Sequence, residues 1–233
     1  MQLAVFLKKR RVIEVFSATR HILAFAAENV DDGHMPRVCI YCASSEYCDP
    51  EYMHAAYRLG EVLARNSIEI VYGGGARGLM GQVANGALAN GGKVIGIMPR
   101  FMQELEWAHL QLTELRVVEN MRERKHLMLT GSDAVIALPG GCGTLEELFE
   151  TITLKRLAIY LNPIVLVNTR RFFDPCIALL ERCVEERFMN PQHLQMWQVV
   201  DRAEDVLQAI TTSAQWTEKA RAFAAVAPQP ILR

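Results

Sequence analysis

A chain of 233 residues, 51% hydrophobic and 22% charged, suits one folded domain with a full core rather than a disordered segment. Its 25 basic and 26 acidic residues leave a net charge of −1, so no basic footprint for broad nucleic-acid binding is present. No apolar run approaches the ~20 residues that span a bilayer, and "MQLAVFLKKRR" carries its charges after its apolar stretch, the reverse of a secretion signal.

Residues 3–29 place apolar side chains at helical spacing, with Lys8, Lys9, Arg10 and Arg11 clustered early. The pattern predicts an amphipathic helical extension over residues 1–34, packed on the body or a partner subunit rather than on a membrane. A main domain over 35–212 and a loose, partly helical tail over 213–233 follow. Within the main domain short apolar runs predict strands at 38–42, 68–72, 94–98, 115–118, 134–138 and 164–168, with a short last one at 198–200. Helical patterns fill the gaps at 50–65, 79–90, 121–130, 145–161 and 175–186. Asp49-Pro50 is a start signal, a cap followed by proline at the first helical position. This alternation predicts an α/β fold, a Rossmann-like doubly wound parallel sheet with helices on both faces. Ligands of such sheets bind beyond the carboxyl ends of the strands.

Six cysteines bear on chemistry and compartment. Cys39 and Cys42 form a C-x-x-C inside the strand pattern "RVCIYCASS", with no second pair and no nearby histidine to complete a zinc set. They read as core thiols in a reducing, cytoplasmic setting, and neither a metal nor a cofactor is predicted.

Three strand ends carry unusual loops. After the first strand, "CASSEYCDP" offers the hydroxyls of Ser44 and Ser45 to phosphate or ribose, or to ordinary turn hydrogen bonds. After the second, "YGGGARGLMG" contains Gly73, Gly74, Gly75 and Gly78 and satisfies G-x-G-x-x-G. A dinucleotide site also needs an acidic residue at the end of the next strand, which instead reads Met98-Pro99-Arg100. What survives is close backbone approach to a phosphate or ribose edge. After the fifth, "ALPGGCGTLEELFE" brings Gly140, Gly141 and Gly143 to a helix start, followed at once by Glu146 and Glu147. Thr144 and Glu147 fit a capping box, which would make Glu147 structural. A chemical reading competes with it. A sugar leaving its base develops positive charge at the anomeric carbon, and a carboxylate facing that carbon stabilises it and orients water. Arg124 and Lys125 of "ENMRERKHLM" supply fixed positive charge nearby.

"YGGGARGLMG", "MRERK" and "PGGCGTLEE", in this order and spacing, resemble the LONELY GUY family of nucleoside 5′-monophosphate phosphoribohydrolases, over roughly residues 37–210. The resemblance implies a homodimer that hydrolyses the N-glycosidic bond of AMP-like nucleotides to free base and ribose 5-phosphate, N6-prenylated AMP yielding cytokinin. It implies Arg124 and Glu147 as catalytic residues. Lys125, Gly141, Gly143, Thr144 and Thr153 match substrate-contacting positions, as does Glu106, with Glu104 a close competitor. With Ser44, Ser45, Gly74, Gly75, Gly78, Gly140 and Glu146 these complete the predicted binding set. Departures are Arg122 for the usual histidine of the M-H-x-R-K motif, Ala43 for the first glycine of G-S-S, and residues 153–158 (TLKRLA) for T-W-x-Q-L-G. A non-catalytic nucleotide sensor or carrier on the same fold is the alternative. Members were long labelled lysine decarboxylases. That reaction needs pyridoxal phosphate on a Schiff-base lysine with an acidic partner for the ring nitrogen, and Lys93, Lys125 and Lys155 sit in no such sequence setting.

Overall fold

The computed structural model describes residues 35–103, 105 and 108–225; the predicted N-terminal helix, Glu104 and Glu106 lie outside the described residues. Seven strands, β1 (Arg37–Tyr41), β2 (Glu69–Tyr72), β3 (Val94–Pro99), β4 (Glu114–Val118), β5 (Ala134–Ala137), β6 (Ile164–Val167) and β7 (Gln198–Val200), form one sheet in the order β4-β3-β2-β1-β5-β6-β7. Every neighbouring pair is parallel. Strand order reverses between β1 and β5, where Val38 lies opposite Ala134 and Tyr41 opposite Ala137. That is the topological switch point at which such sheets open a crevice.

The central strands β2, β3, β5 and β6 are short and mostly apolar because helices cover both faces. Alternation along β1 sends Val38 and Ile40 into one core with α1 (Pro50–Arg65), α2 (Gly78–Leu88) and α6 (Val206–Thr212). Cys39 and Tyr41 point the other way, into the core shared with α3 (Met121–Leu129), α4 (Cys142–Arg156) and α5 (Asp174–Glu185). Cys39 and Cys42 therefore enter different cores. The segment after α6 adds to the second face, where Trp216 and Ala220 are buried and the Trp216 indole N–H donates to the Lys155 carbonyl at 2.7 Å.

Local chemistry explains the starts. Asp49 accepts from the Glu51 amide at 2.9 Å and Pro50 follows it, so α1 begins where predicted. Asn120 caps α3 through the Glu123 amide at 3.0 Å, and Glu123 accepts in return from the Glu119 amide.

The expectation for α4 needs two corrections. A helix over 145–161 was expected, opened by a Thr144–Glu147 capping box; the helix runs Cys142–Arg156 on an N-cap at Gly141, with no side-chain cap. Gly141 carries the extended conformation of a cap itself, so the chain enters the helix three residues early. Thr144 becomes the third helical residue and Glu147 falls in the second turn, beyond capping reach. At the other end, Ala158 adopts φ 53° and the Ile159 amide donates to Leu154, a Schellman closure with alanine where glycine is usual. The apolar pattern beyond Arg156 therefore belongs to the turn. The seven-residue α6 was not predicted.

Candidate active site

A cleft of about 310 Å³ opens at the switch point. Its floor is apolar, formed by Ile40, Cys42, Met80 and Met128, none of them singled out among the expected binding residues although Met80 lies within "YGGGARGLMG". Its polar walls come from the loops that follow β1, β2 and β5 and from α3 and α4. Ser44, Ser45, Gly73, Arg124, Gly141, Gly143, Thr144 and Glu147 all line it.

Arg124 is only 6% exposed, and its guanidinium is held by backbone. Nε donates to the Ile97 carbonyl at 3.2 Å and Nη2 to the Gly73 carbonyl at 3.3 Å. Nη1 points at two thioether sulfurs, Met102 at 3.7 Å and Met121 at 3.8 Å, weak acceptors that complete its orientation. Gly73 is glycine for a steric reason: a Cβ there would sit 2.1 Å from Nη2 of Arg124. Glu147 is 8% exposed and shares the cleft from the opposite helix. A buried cation and a buried carboxylate thus face one space from α3 and α4, 23 positions apart in the chain.

The glycine loops divide into two kinds. Gly78 has φ +58°, and a Cβ on it would lie 2.4 Å from the Ser44 carbonyl carbon, so it permits the first loop to lie against the second. Gly74, with φ +81°, and Gly75 are buried beside it; neither lines the cleft, and Gly75 bridges Ala108 while the Gly74 carbonyl accepts from the His109 amide. Gly140 is required because Thr144 Oγ1 would stand 2.2 Å from its Cβ. At Gly141 and Gly143 an added Cβ would meet no protein atom within 4 Å, so the fold itself does not demand glycine there. Both sit on the cleft wall at the start of α4, where the first backbone N–H groups have no partners within the helix. Bare amides with the positive end of a helix dipole make an anion cradle.

Other predicted residues fall elsewhere. Lys125 pairs with Glu146 at 2.5 Å and Glu150 at 3.0 Å, which raises its pKa, and neither Lys125 nor Glu146 lines the cleft. They tie α3 to α4 from outside. Thr153 is exposed three turns along α4 and donates to the Phe149 carbonyl. Lys155 is buried at the far end of α4, where burial lowers its pKa to about 8 and Nζ donates to the Asn162 carbonyl. Lys93 is exposed on the surface, and among the described residues no lysine lines the cleft.

Residues 80–210 match the family model described as "Possible lysine decarboxylase". The chain is 40% identical over 164 residues to the cytokinin riboside 5′-monophosphate phosphoribohydrolase LOG3 of Arabidopsis thaliana, covering 70% of this chain and 76% of that one. It is 41% identical over 155 residues to the cytokinin riboside 5′-monophosphate phosphoribohydrolase of Rhodococcoides fascians, covering 66% and 78%. Among solved structures, the molybdenum cofactor carrier protein of Chlamydomonas reinhardtii superposes with a TM-score of 0.59 at 18% identity, over 76% of this chain and 96% of that one. That last likeness shows the fold alone.

Proposed function

The chain belongs to the LONELY GUY family of phosphoribohydrolases, and from that premise we propose that its cleft hydrolyses the N-glycosidic bond of AMP-like nucleoside 5′-monophosphates, N6-prenylated AMP included. Water adds across the bond: its oxygen joins C1′ of the sugar, a proton goes to the base, and the products are free base and ribose 5-phosphate.

The observation that carries this reading is the pairing of buried Arg124 and Glu147 across one cleft whose rim is a helix N-terminus with no side-chain cap. The amides at Cys142, Gly143 and Thr144 hold the 5′-phosphate. Glu147, one turn further along the same helix, faces the sugar, orients the attacking water and offsets positive charge at the anomeric carbon. Arg124 is held by two carbonyls before substrate arrives, so no reorganisation is needed to present its charge. It balances the phosphate against the carboxylate. Ser44 and Ser45 close the ribose side.

The relatives support catalysis over carriage: two that are 40–41% identical are named phosphoribohydrolases, while the carrier resembles this chain at 18% identity. Among the described residues the decarboxylase description finds no lysine lining the cleft to form a Schiff base. For assembly we propose a homodimer. Leu148, Ile152 and Tyr160 of the apolar stretch in and after α4 are used within the chain, but Ile159 remains 65% exposed and Leu157 38%. A reducing, cytoplasmic setting belongs to the same proposal, supported by Cys39 and Cys42 being buried in two different cores. The test is incubation with AMP, GMP, CMP, UMP and N6-isopentenyl-AMP with chromatographic detection of free base. Absence of base release from every one refutes the reading.

A further inference from the structure

One polar chain under α4 is not part of the cleft. Tyr41, the last residue of β1, is buried beneath α4, and its hydroxyl lies 3.0 Å from Thr151 Oγ1. Thr151 Oγ1 donates to the backbone carbonyl of Glu147 at 3.0 Å. Thr151 is also buried, one helical turn beyond Glu147. Proton counting sets the direction. Thr151 has one hydroxyl proton and gives it to Glu147, so Tyr41 must donate to Thr151. Burial holds the Tyr41 phenol well above its usual range, which keeps it a donor.

We propose that Tyr41 and Thr151 are positioning residues for Glu147: through two consecutive hydrogen bonds they set the rotation of α4 against the central strand, and so the place of the carboxylate in the cleft. This rests on the assignment of Glu147 to the reaction. Geometry gives the lever arm. A side-chain tip stands about 5–6 Å from a helix axis, so a rotation of about 10° moves it by about 1 Å. A misplacement of that size costs on the order of 10²-fold in rate. α4 also packs on the second core through Leu148 and Ile152, with Leu145, Phe149 and Leu154 partly buried, but apolar burial is non-directional, whereas a hydrogen bond prefers one angle. A hydrogen bond anchored on β1, the strand at the switch point, ties α4 to the same strand that carries Ile40 into the cleft floor and leads directly into Cys42.

The test uses the full chain with AMP as substrate. Thr151→Val removes the hydroxyl at constant shape and is expected to lower kcat by about 10–100-fold while KM changes by less than about threefold. Thr151→Ser restores the hydroxyl and recovers most of kcat. Tyr41→Phe lowers kcat less, and the double variant Tyr41→Phe/Thr151→Val is no worse than Thr151→Val alone, because both act through one chain of bonds. A merely structural role would lower Tm and leave the kcat of folded protein unchanged. Crystal structures of the wild type and Thr151→Val supply a readout that needs no turnover. The Glu147 carboxylate is expected to shift by about 1 Å, and this decides the positioning claim even if the wild type fails to cleave AMP, an outcome that would refute the reaction instead. Wild-type kcat in Thr151→Val, no recovery in Thr151→Ser, or an unmoved Glu147 carboxylate would each overturn the proposal.

Discussion

Glu147→Gln separates chemistry from architecture at the residue on which most depends. Glutamine has nearly the same shape, and Glu147 stands in the second turn of α4 rather than at its cap, so the helix should tolerate the change. A capping residue would instead cost about 0.5–2 kcal/mol of stability when lost, and nothing in rate. At a site 8% exposed, the amide can neither accept a proton from water nor offset charge at the anomeric carbon. Losing such a group typically costs on the order of 10²–10⁴ in rate. At about 1.36 kcal/mol per tenfold, that is roughly 2.7–5.4 kcal/mol of transition-state stabilisation. AMP affinity should hold or rise, since a carboxylate facing an anionic ligand has gone. Adenine release followed by chromatography, AMP binding by calorimetry and thermal unfolding together measure all three quantities. Glu146→Gln is the control: Glu146 is exposed, paired with Lys125 outside the cleft, and should change turnover by less than about threefold, as expected for a surface ion pair worth at most ~1 kcal/mol. Near-wild-type turnover in Glu147→Gln would refute the reasoning, and an inactive Glu146→Gln beside it would show that the other glutamate acts.

Adenosine should turn over at least about a hundredfold less well than AMP by kcat/KM, a loss of about 3 kcal/mol, because the amides at the start of α4 would have no phosphate to bind. Gly143→Ala should raise Tm, since alanine is favoured over glycine in a helix by roughly 0.5–1 kcal/mol and no protein atom is met, yet raise KM for AMP about tenfold or more. Gly78→Ala should do the opposite, with loss of folded protein in thermal scans, because its φ of +58° and the Ser44 backbone both exclude a side chain. On acidification, His109 and His193 both have folded pKa values lowered by burial, and both accept a backbone N–H at Nδ1. The stability they contribute is full above the unfolded value near 6.5 and is lost as pH falls below it; Tm measured from pH 7.5 to 5 should drop, and glutamine at both positions should flatten that drop. Light scattering should give about twice 26.2 kDa, and Ile159→Asp should shift it toward the single-chain mass.

Much of this was legible because the relevant signals are local. Asp49-Pro50 placed α1 to the residue, and strand β7 was read with its observed bounds. The serine loop and the two glycine loops were read at strand ends, and the parallel topology then brought all three, after β1, β2 and β5, to one crevice. The start of α4 was misread for an equally local reason. Thr144 and Glu147 satisfy a capping pattern, but Gly141 caps through its own backbone and leaves no side-chain signature. Lys125, matched through the family resemblance, and Glu146 were expected at the ligand; in the fold they pair with each other across two helices, apart from the residues that line the cleft. The Tyr41–Thr151 bond spans 110 positions, and no pattern along the chain announces it.

The anion cradle and the proposed carboxylate belong to successive turns of one rigid helix. From Gly143 to Glu147 is four residues, or about 6 Å of rise. On the proposed reading α4 is therefore a ruler, graduated to the reach from a sugar's 5′-phosphate to its anomeric carbon. A nucleoside 5′-diphosphate seated by its outer phosphate would carry its sugar past the mark, and a 3′-monophosphate would present the wrong edge. Selection among nucleotides by phosphate position would then be a matter of length, set before any base is read.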